Sequence, residues 1–177
     1  MADELIDVID ENAVVVQRVM KTYAHEHGLL HKTVIGYMPK GNGCLLVKQA
    51  ADRQDAGQFV NPVGGHVAAG ETDDEALLRE CEEEIGTRNI TFKFIGRELF
   101  HRQVIGRDEK HMFVVYEVYT EDEIVLNHEA VAVRQFTKNK LKKALVNRPN
   151  AFGDALYFIL EKFYPDYLPD SWVSRWS

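Results

Sequence analysis

The chain has 177 residues, 45% hydrophobic and 28% charged, with 21 basic against 28 acidic side chains and a formal net charge of −7. That length suits one domain with a proper core, and the acidic balance excludes broad nucleic-acid affinity, which needs a basic footprint. No apolar run approaches the roughly 20 residues of a membrane helix, the start MADELIDVIDEN lacks the layout of a secretory signal, and Cys44 and Cys81 form no metal spacing, so a single cytoplasmic domain over residues 1–177 is expected.

In chain order, residues 5–10 and 13–20 alternate well enough to form a hairpin across Glu11 and Asn12. Residues 33–38 and 44–48 read as strands about the turn 39–43, and residues 58–63 run extended into the Gly64–Gly65 turn. A helix follows. Thr72 and Glu75 have capping-box spacing, Asp73 and Asp74 fall in the first turn where the dipole favours negative charge, and Gly86 is placed to end it. Leu77, Leu78, Cys81 and Ile85 share its core-facing stripe, with Glu80, Glu83 and Glu84 on the flank. Residues 90–100 and 111–119 predict a long antiparallel pair, and 130–136 another strand. Residues 141–146 and 151–163 have helical spacing, so the part from about 138 to 177 is read as helical, ending in an irregular tail at 165–177 with Trp172 and Trp176. Strands on both sides of one helix predict a mixed sheet between helical layers, an α/β fold.

Residues 65–87 carry the chemistry. Carboxylates crowded on one short helix repel one another, and an oxygen-rich set is made useful by a hard cation such as Mg²⁺ or Mn²⁺, which suits a diphosphate substrate. Arg79, one turn before Glu83, can orient it. A plain solvated acidic face is the ordinary alternative, but it leaves Gly64–Gly65, the isolated Glu71 and the Arg79–Glu80 pair unexplained. The segment resembles the Nudix box of the nucleoside-diphosphate-linked-X hydrolases, with Gly65, Glu71, Arg79, Glu80, Glu83, Glu84 and Gly86 all in register and Cys81 and Thr87 at its two aliphatic positions. The resemblance implies an α/β/α sandwich with the box as a loop–helix–loop. It also implies catalysis through Arg79, Glu80, Glu83 and Glu84, and Mg²⁺ or Mn²⁺ held by Glu80, Glu83, Glu84 and Glu71.

A weaker likeness, from about residue 5 to 137, is to type I isopentenyl-diphosphate isomerases. It implies a second metal site, for Zn²⁺ or Mn²⁺, at His25, His31, His66, Glu109 and His111. The alternatives are that His25 and His27 are exposed helix residues and that His66 contacts phosphate. Where the isomerases have a proton-transferring cysteine before a Gly-His pair, this chain has Gly64, and neither Cys44 nor Cys81 replaces it. Hydrolysis of a diphosphate linkage in a nucleoside diphosphate derivative or related small molecule is therefore favoured. An isomerase-like enzyme and a nucleotide-binding module without catalysis are kept as alternatives. Gly64, Gly65 and His66, with Lys48 and Arg53 for distal phosphates, are the substrate-binding candidates. Glu80, Glu109, Glu121, Glu123 or Glu129 is the candidate base, and Tyr37, Phe59, Phe100 and Phe152 are candidates for stacking a base. A homodimer is left open.

Overall fold

The computed structural model describes residues 3–104 and 107–176; Met1 and Ala2 of the acidic start and Ser177 of the tail lie outside them. The elements run β1 (Leu5–Ile9), β2 (Val15–Met20), α1 (Lys21–Glu26), β3 (His31–Lys40), β4 (Gly43–Gln49), β5 (Phe59–Val60), β6 (Val63–His66), α2 (Asp73–Ile85), β7 (Thr91–Val104), β8 (Arg107–Tyr119), β9 (Ala130–Thr137), α3 (Lys138–Asn147) and α4 (Asp154–Phe163). The sheet centres on β3, which pairs antiparallel with β1, β4 and β6 and parallel with β8. β7 continues from β8, and β9 and β5 from β4. The expected mixed sheet is present.

The central strands are buried on both faces, and their alternation defines two layers of core. Val34 and Met38 of β3 and Val114, Tyr116 and Val118 of β8 face α2, where Ala76, Leu77, Cys81 and Ile85 close the layer. Ile35, Phe113 and Val115 face the other way, onto Phe158 and Ile159 of α4. Tyr37, Leu46, Phe59 and Phe136 meet Leu141, Leu145, Leu156 and Leu160 of α3 and α4 on that same side. Helices on both faces of a mixed sheet make an α/β/α sandwich. Truncating a side chain such as Leu77, fully buried, would cost about 2–5 kcal/mol.

The N-terminal hairpin forms with its turn tightened by Asp10, whose Oδ1 accepts from the N–H groups of Asn12 and Val14 at 2.9 Å each. The continuous helix expected over 151–163 does not form. Pro149–Ala151 makes a single 3₁₀ turn, Phe152 is extended and bridges Phe59, and the Gly153 N–H donates to the Phe59 carbonyl at 3.0 Å before α4 begins. A Cβ at Gly153 would lie 2.9 Å from Val60 Cγ1, so close approach to β5 explains both the glycine and the break. The tail is irregular but packed. Trp172 stacks on Tyr157 at 5.1 Å, and Trp176 packs edge-on to Phe158 at 5.4 Å.

Candidate active site

The box helix begins as its sequence dictates. Thr72 accepts from the Glu75 N–H at 3.2 Å, the Glu75 carboxylate takes the Thr72 N–H at 2.9 Å, and Gly86 ends α2 in the left-handed region at φ 77°. From α2, Arg79 reaches back to the turn before it. Its Nε and Nη2 donate to the two oxygens of Glu71 at 2.9 Å each, Nη2 also donates to the His66 carbonyl at 2.9 Å, and Nη1 donates to Glu80 at 2.5 Å. The expected partner Glu83 is 3.8 Å away and 55% exposed. Arg79 therefore ties α2 to β6 and to Glu71. Glu71, expected as a metal ligand, has both oxygens engaged, the second also accepting the Ala68 N–H at 3.0 Å. Burial alone would raise its pKa; Arg79 and Ala68 overrule that and hold it below the usual carboxylate value.

β6 is the seam of the site. A Cβ at Gly65 would stand 1.9 Å from Glu80 Oε1, so glycine is what lets that carboxylate lie against the strand. The Gly64 N–H donates to Glu84 Oε2 at 2.6 Å. Burial raises the pKa of Glu80, against the pull of Arg79. Burial raises Glu84 further, the Gly64 N–H opposing and the charges of Glu80, Glu129 and Glu83 adding to it. A divalent cation would relieve both penalties.

On the other flank of β6, strand register assembles imidazoles. The parallel pairing of β3 with β8 sets His31 beside His111, and the antiparallel pairing of β3 with β6 sets Thr33 beside His66. α1 adds His25, whose Nε2 is 3.2 Å from that of His66. The ligand atoms of His25, His31, His66 and His111 all lie within 4.8 Å of one another. His31 Nδ1–H donates to the Leu29 carbonyl at 2.7 Å, which leaves its Nε2 as a lone-pair nitrogen, buried and without a hydrogen-bond partner among the described residues. Burial pushes His31 down to about 4, and burial plus the neighbouring histidines push His66 and His111 well below the usual value, so these rings are neutral at pH 7. Neutral, convergent imidazoles are the form that binds a metal. Glu109, 3% exposed, stands 4.0 Å from His111 Nε2 and accepts from Arg102 Nε at 3.0 Å.

Both flanks open on one cavity of about 240 Å³, lined by Glu84, Gly64, Gly65 and His66 from the box side and by His25, His111 and Glu109 from the other. Lys48 and Arg53 do not line it; Arg53 Nη2 faces Glu129 at 2.7 Å and His128 at 2.8 Å instead. Glu121 and Glu123 are exposed and away from the cavity, and Tyr37, Phe59 and Phe152 are core side chains. Of the aromatic candidates Phe100 lines the cavity, joined by Phe113. Sequence reading missed Arg102, Asp55, Gln49, Gln54 and Asn61, all on the cavity wall. Gln49 and Arg102 come from β4 and β7, Gln54 and Asp55 from the turn after β4, and Asn61 from the link between β5 and β6, so only the fold brings these common surface types together, and no local spacing marks them.

The chain matches the NUDIX domain family over residues 29–155, which includes the whole of α2 and β6. It belongs to the Nudix family. It is 37% identical over 105 residues to an uncharacterized Nudix hydrolase of Streptomyces coelicolor, covering 53% of this chain and 56% of that one. It is 31% identical over 86 residues to an isopentenyl-diphosphate Delta-isomerase of Serratia proteamaculans, 48% of each. The chain thus spans about half the length of the curated relatives it matches. Among solved structures, DR0079 from Deinococcus radiodurans superposes with a TM-score of 0.73 at 18% identity, over 89% of this chain and 98% of that one. A MutT protein from Methanosarcina mazei gives 0.59 at 20% identity, over 78% and 92%. At such identities the structures show a shared Nudix fold. No helix is long and apolar enough to cross a membrane among the described residues.

Proposed function

We propose that this Nudix protein is a metal-dependent pyrophosphohydrolase, cleaving a diphosphate linkage in a nucleoside diphosphate derivative or a related phosphorylated small molecule. The observation that carries the reading is the latched box. Arg79 and Gly65 hold Glu80 against β6, and Glu84 lines a cavity large enough for part of a ligand. Glu80, Glu83 and Glu84 would hold Mg²⁺ or Mn²⁺, and the histidine cluster with Glu109 suits Zn²⁺ or Mn²⁺. When bound, such ions offset the charge of the diphosphate and polarise its phosphorus.

The chain's own groups do the rest. Gly64, Gly65 and His66 line the cavity on the side where the phosphates would lie, the Gly64 N–H holding Glu84 in place. Asp55 lines the cavity outside both ligand sets, and burial raises its pKa, which shifts it toward accepting a proton from an attacking water. Arg102, 3.5 Å from Asp55, fixes its direction. A phosphate-release screen over nucleoside triphosphates, nucleoside-diphosphate sugars, dinucleotides and isopentenyl diphosphate, with and without Mg²⁺, tests the reading. Release from at least one nucleotide substrate, only with metal, is expected; no release from any of them would refute it.

The histidine cluster favours one second reading, an isomerase-like enzyme, since it occupies the positions that the likeness to the isomerases singles out. Against it stands Gly64, which has no side chain to move a proton on a carbon skeleton.

A further inference from the structure

The cavity wall carries uncharged amides as well as ligands and charges. Gln49, Gln54 and Asn61 line it, beside the apolar Val60, Val63 and Phe113. Asn61 is 8% exposed, and its Oδ1 is buried with no hydrogen-bond partner among the described residues. Buried polar atoms are almost always paired, because leaving one unpaired forfeits its hydration with no return. The backbone on either side of Asn61 is fixed: Val60 pairs with Val47 of β4, and Val63 with Gly36 of β3. The side chain is therefore held on the cavity wall by the sheet, and nothing described in the fold uses its oxygen.

We infer that Asn61 is a specificity-determining residue that accepts a hydrogen bond from an N–H or O–H on the uncharged half of the substrate. The group attached to the diphosphate is then a ring with polar donors, a nucleobase or a sugar, and not a hydrocarbon chain. The inference rests on the hydrolase reading for the phosphate side alone. A site built to pair a buried polar group rejects the analogue that lacks the partner, because the protein group is left unpaired in the complex. An isoprenoid chain in this cavity would leave Asn61 in that state.

The test measures binding without turnover. Calorimetry on the full chain in Mg²⁺ compares nucleoside 5′-monophosphates, glucose 1-phosphate and isopentenyl monophosphate. The wild type should bind at least one ring-bearing phosphate about tenfold or more tightly than isopentenyl monophosphate, the scale of one neutral hydrogen bond in a dry site. Asn61→Leu should erase that margin and leave isopentenyl monophosphate within about twofold of its wild-type affinity. Asn61→Ala, which removes the acceptor without adding bulk, carries the same comparison if the leucine variant does not fold. Which ring keeps the margin identifies the source. Equal wild-type affinity for isopentenyl monophosphate, no binding of any ring-bearing phosphate, or a loss shared equally by all three ligands would overturn the inference. A failed hydrolase reading shows differently, as absent phosphate release with the binding margin intact.

Discussion

Two adjacent glycines differ sharply in what they permit. A Cβ at Gly65 falls on the Glu80 carboxylate, 1.9 Å from Oε1 and 2.0 Å from Cδ, whereas one at Gly64 meets Ile35 Cδ1 at 3.4 Å and the Val34 carbonyl oxygen at 3.7 Å, both ordinary contacts. Gly65→Ala should therefore push Glu80 off β6 and lower turnover about a hundredfold, the scale of a displacement of about 1 Å at a reacting centre. Gly64→Ala, whose Cβ meets only ordinary contacts, should lower turnover far less, and steady-state kinetics on the two variants checks the contrast. Asp55→Asn should lower kcat by a factor of about 10²–10⁴, as loss of a general base does, with KM little changed. The box residues were legible because their spacing is local: one turn of helix and one capping box fix where each points. The partner of Arg79 was not. Glu83 is the neighbour by helical spacing, but Glu71 and the His66 carbonyl, brought close by the turn 67–72, take the guanidinium. Asn61 and Arg102 had no local signal at all.

At the scale of elements, α2 stands on its own cap. Thr72→Ala removes the acceptor for the Glu75 N–H and should cost about 1 kcal/mol. In a chain of this size that lowers the melting temperature by roughly 2–4 °C, a shift read by thermal denaturation, with little effect on KM. The central strands were legible as short, nearly continuous apolar runs, since both faces of β3 and β8 are buried. The break at Phe152–Gly153 was not, because apolar residues at helical spacing continue across it. Contact of Phe152 and Gly153 with Phe59 and Val60, some ninety residues earlier in the chain, overrides the local pattern. The histidines show the same division. Their residue types were visible, but the parallel β3–β8 register that sets His31 against His111 is a property of the folded sheet.

For the whole molecule, the sandwich places two candidate ligand sets of different chemistry on the flanks of one strand, carboxylates from α2 and imidazoles from α1, β3, β6 and β8. Zinc titrated into metal-stripped protein should fill a site that His31→Gln weakens by at least about tenfold, the scale of a ligand-shell change; an unchanged affinity would detach the cluster from metal binding. Isopentenyl diphosphate incubated with the protein and Mg²⁺ should give no dimethylallyl diphosphate above a heat-killed control, since Gly64 offers no proton. Gly64→Cys has room for its Cβ and should still give none, because the pocket must also hold an isoprenoid in register with an opposing acid.

The most direct measurement is turnover on the best substrate of the screen, in chelator and after metal is returned, for the wild type and for Glu83→Gln and Glu84→Gln. Chelation should abolish wild-type activity and Mg²⁺ or Mn²⁺ restore it. Each variant should melt like the wild type yet turn over about a hundredfold more slowly, as when one strong electrostatic contact to a transition state is lost. Full activity after exhaustive metal stripping, or wild-type rates in both variants, would contradict the account.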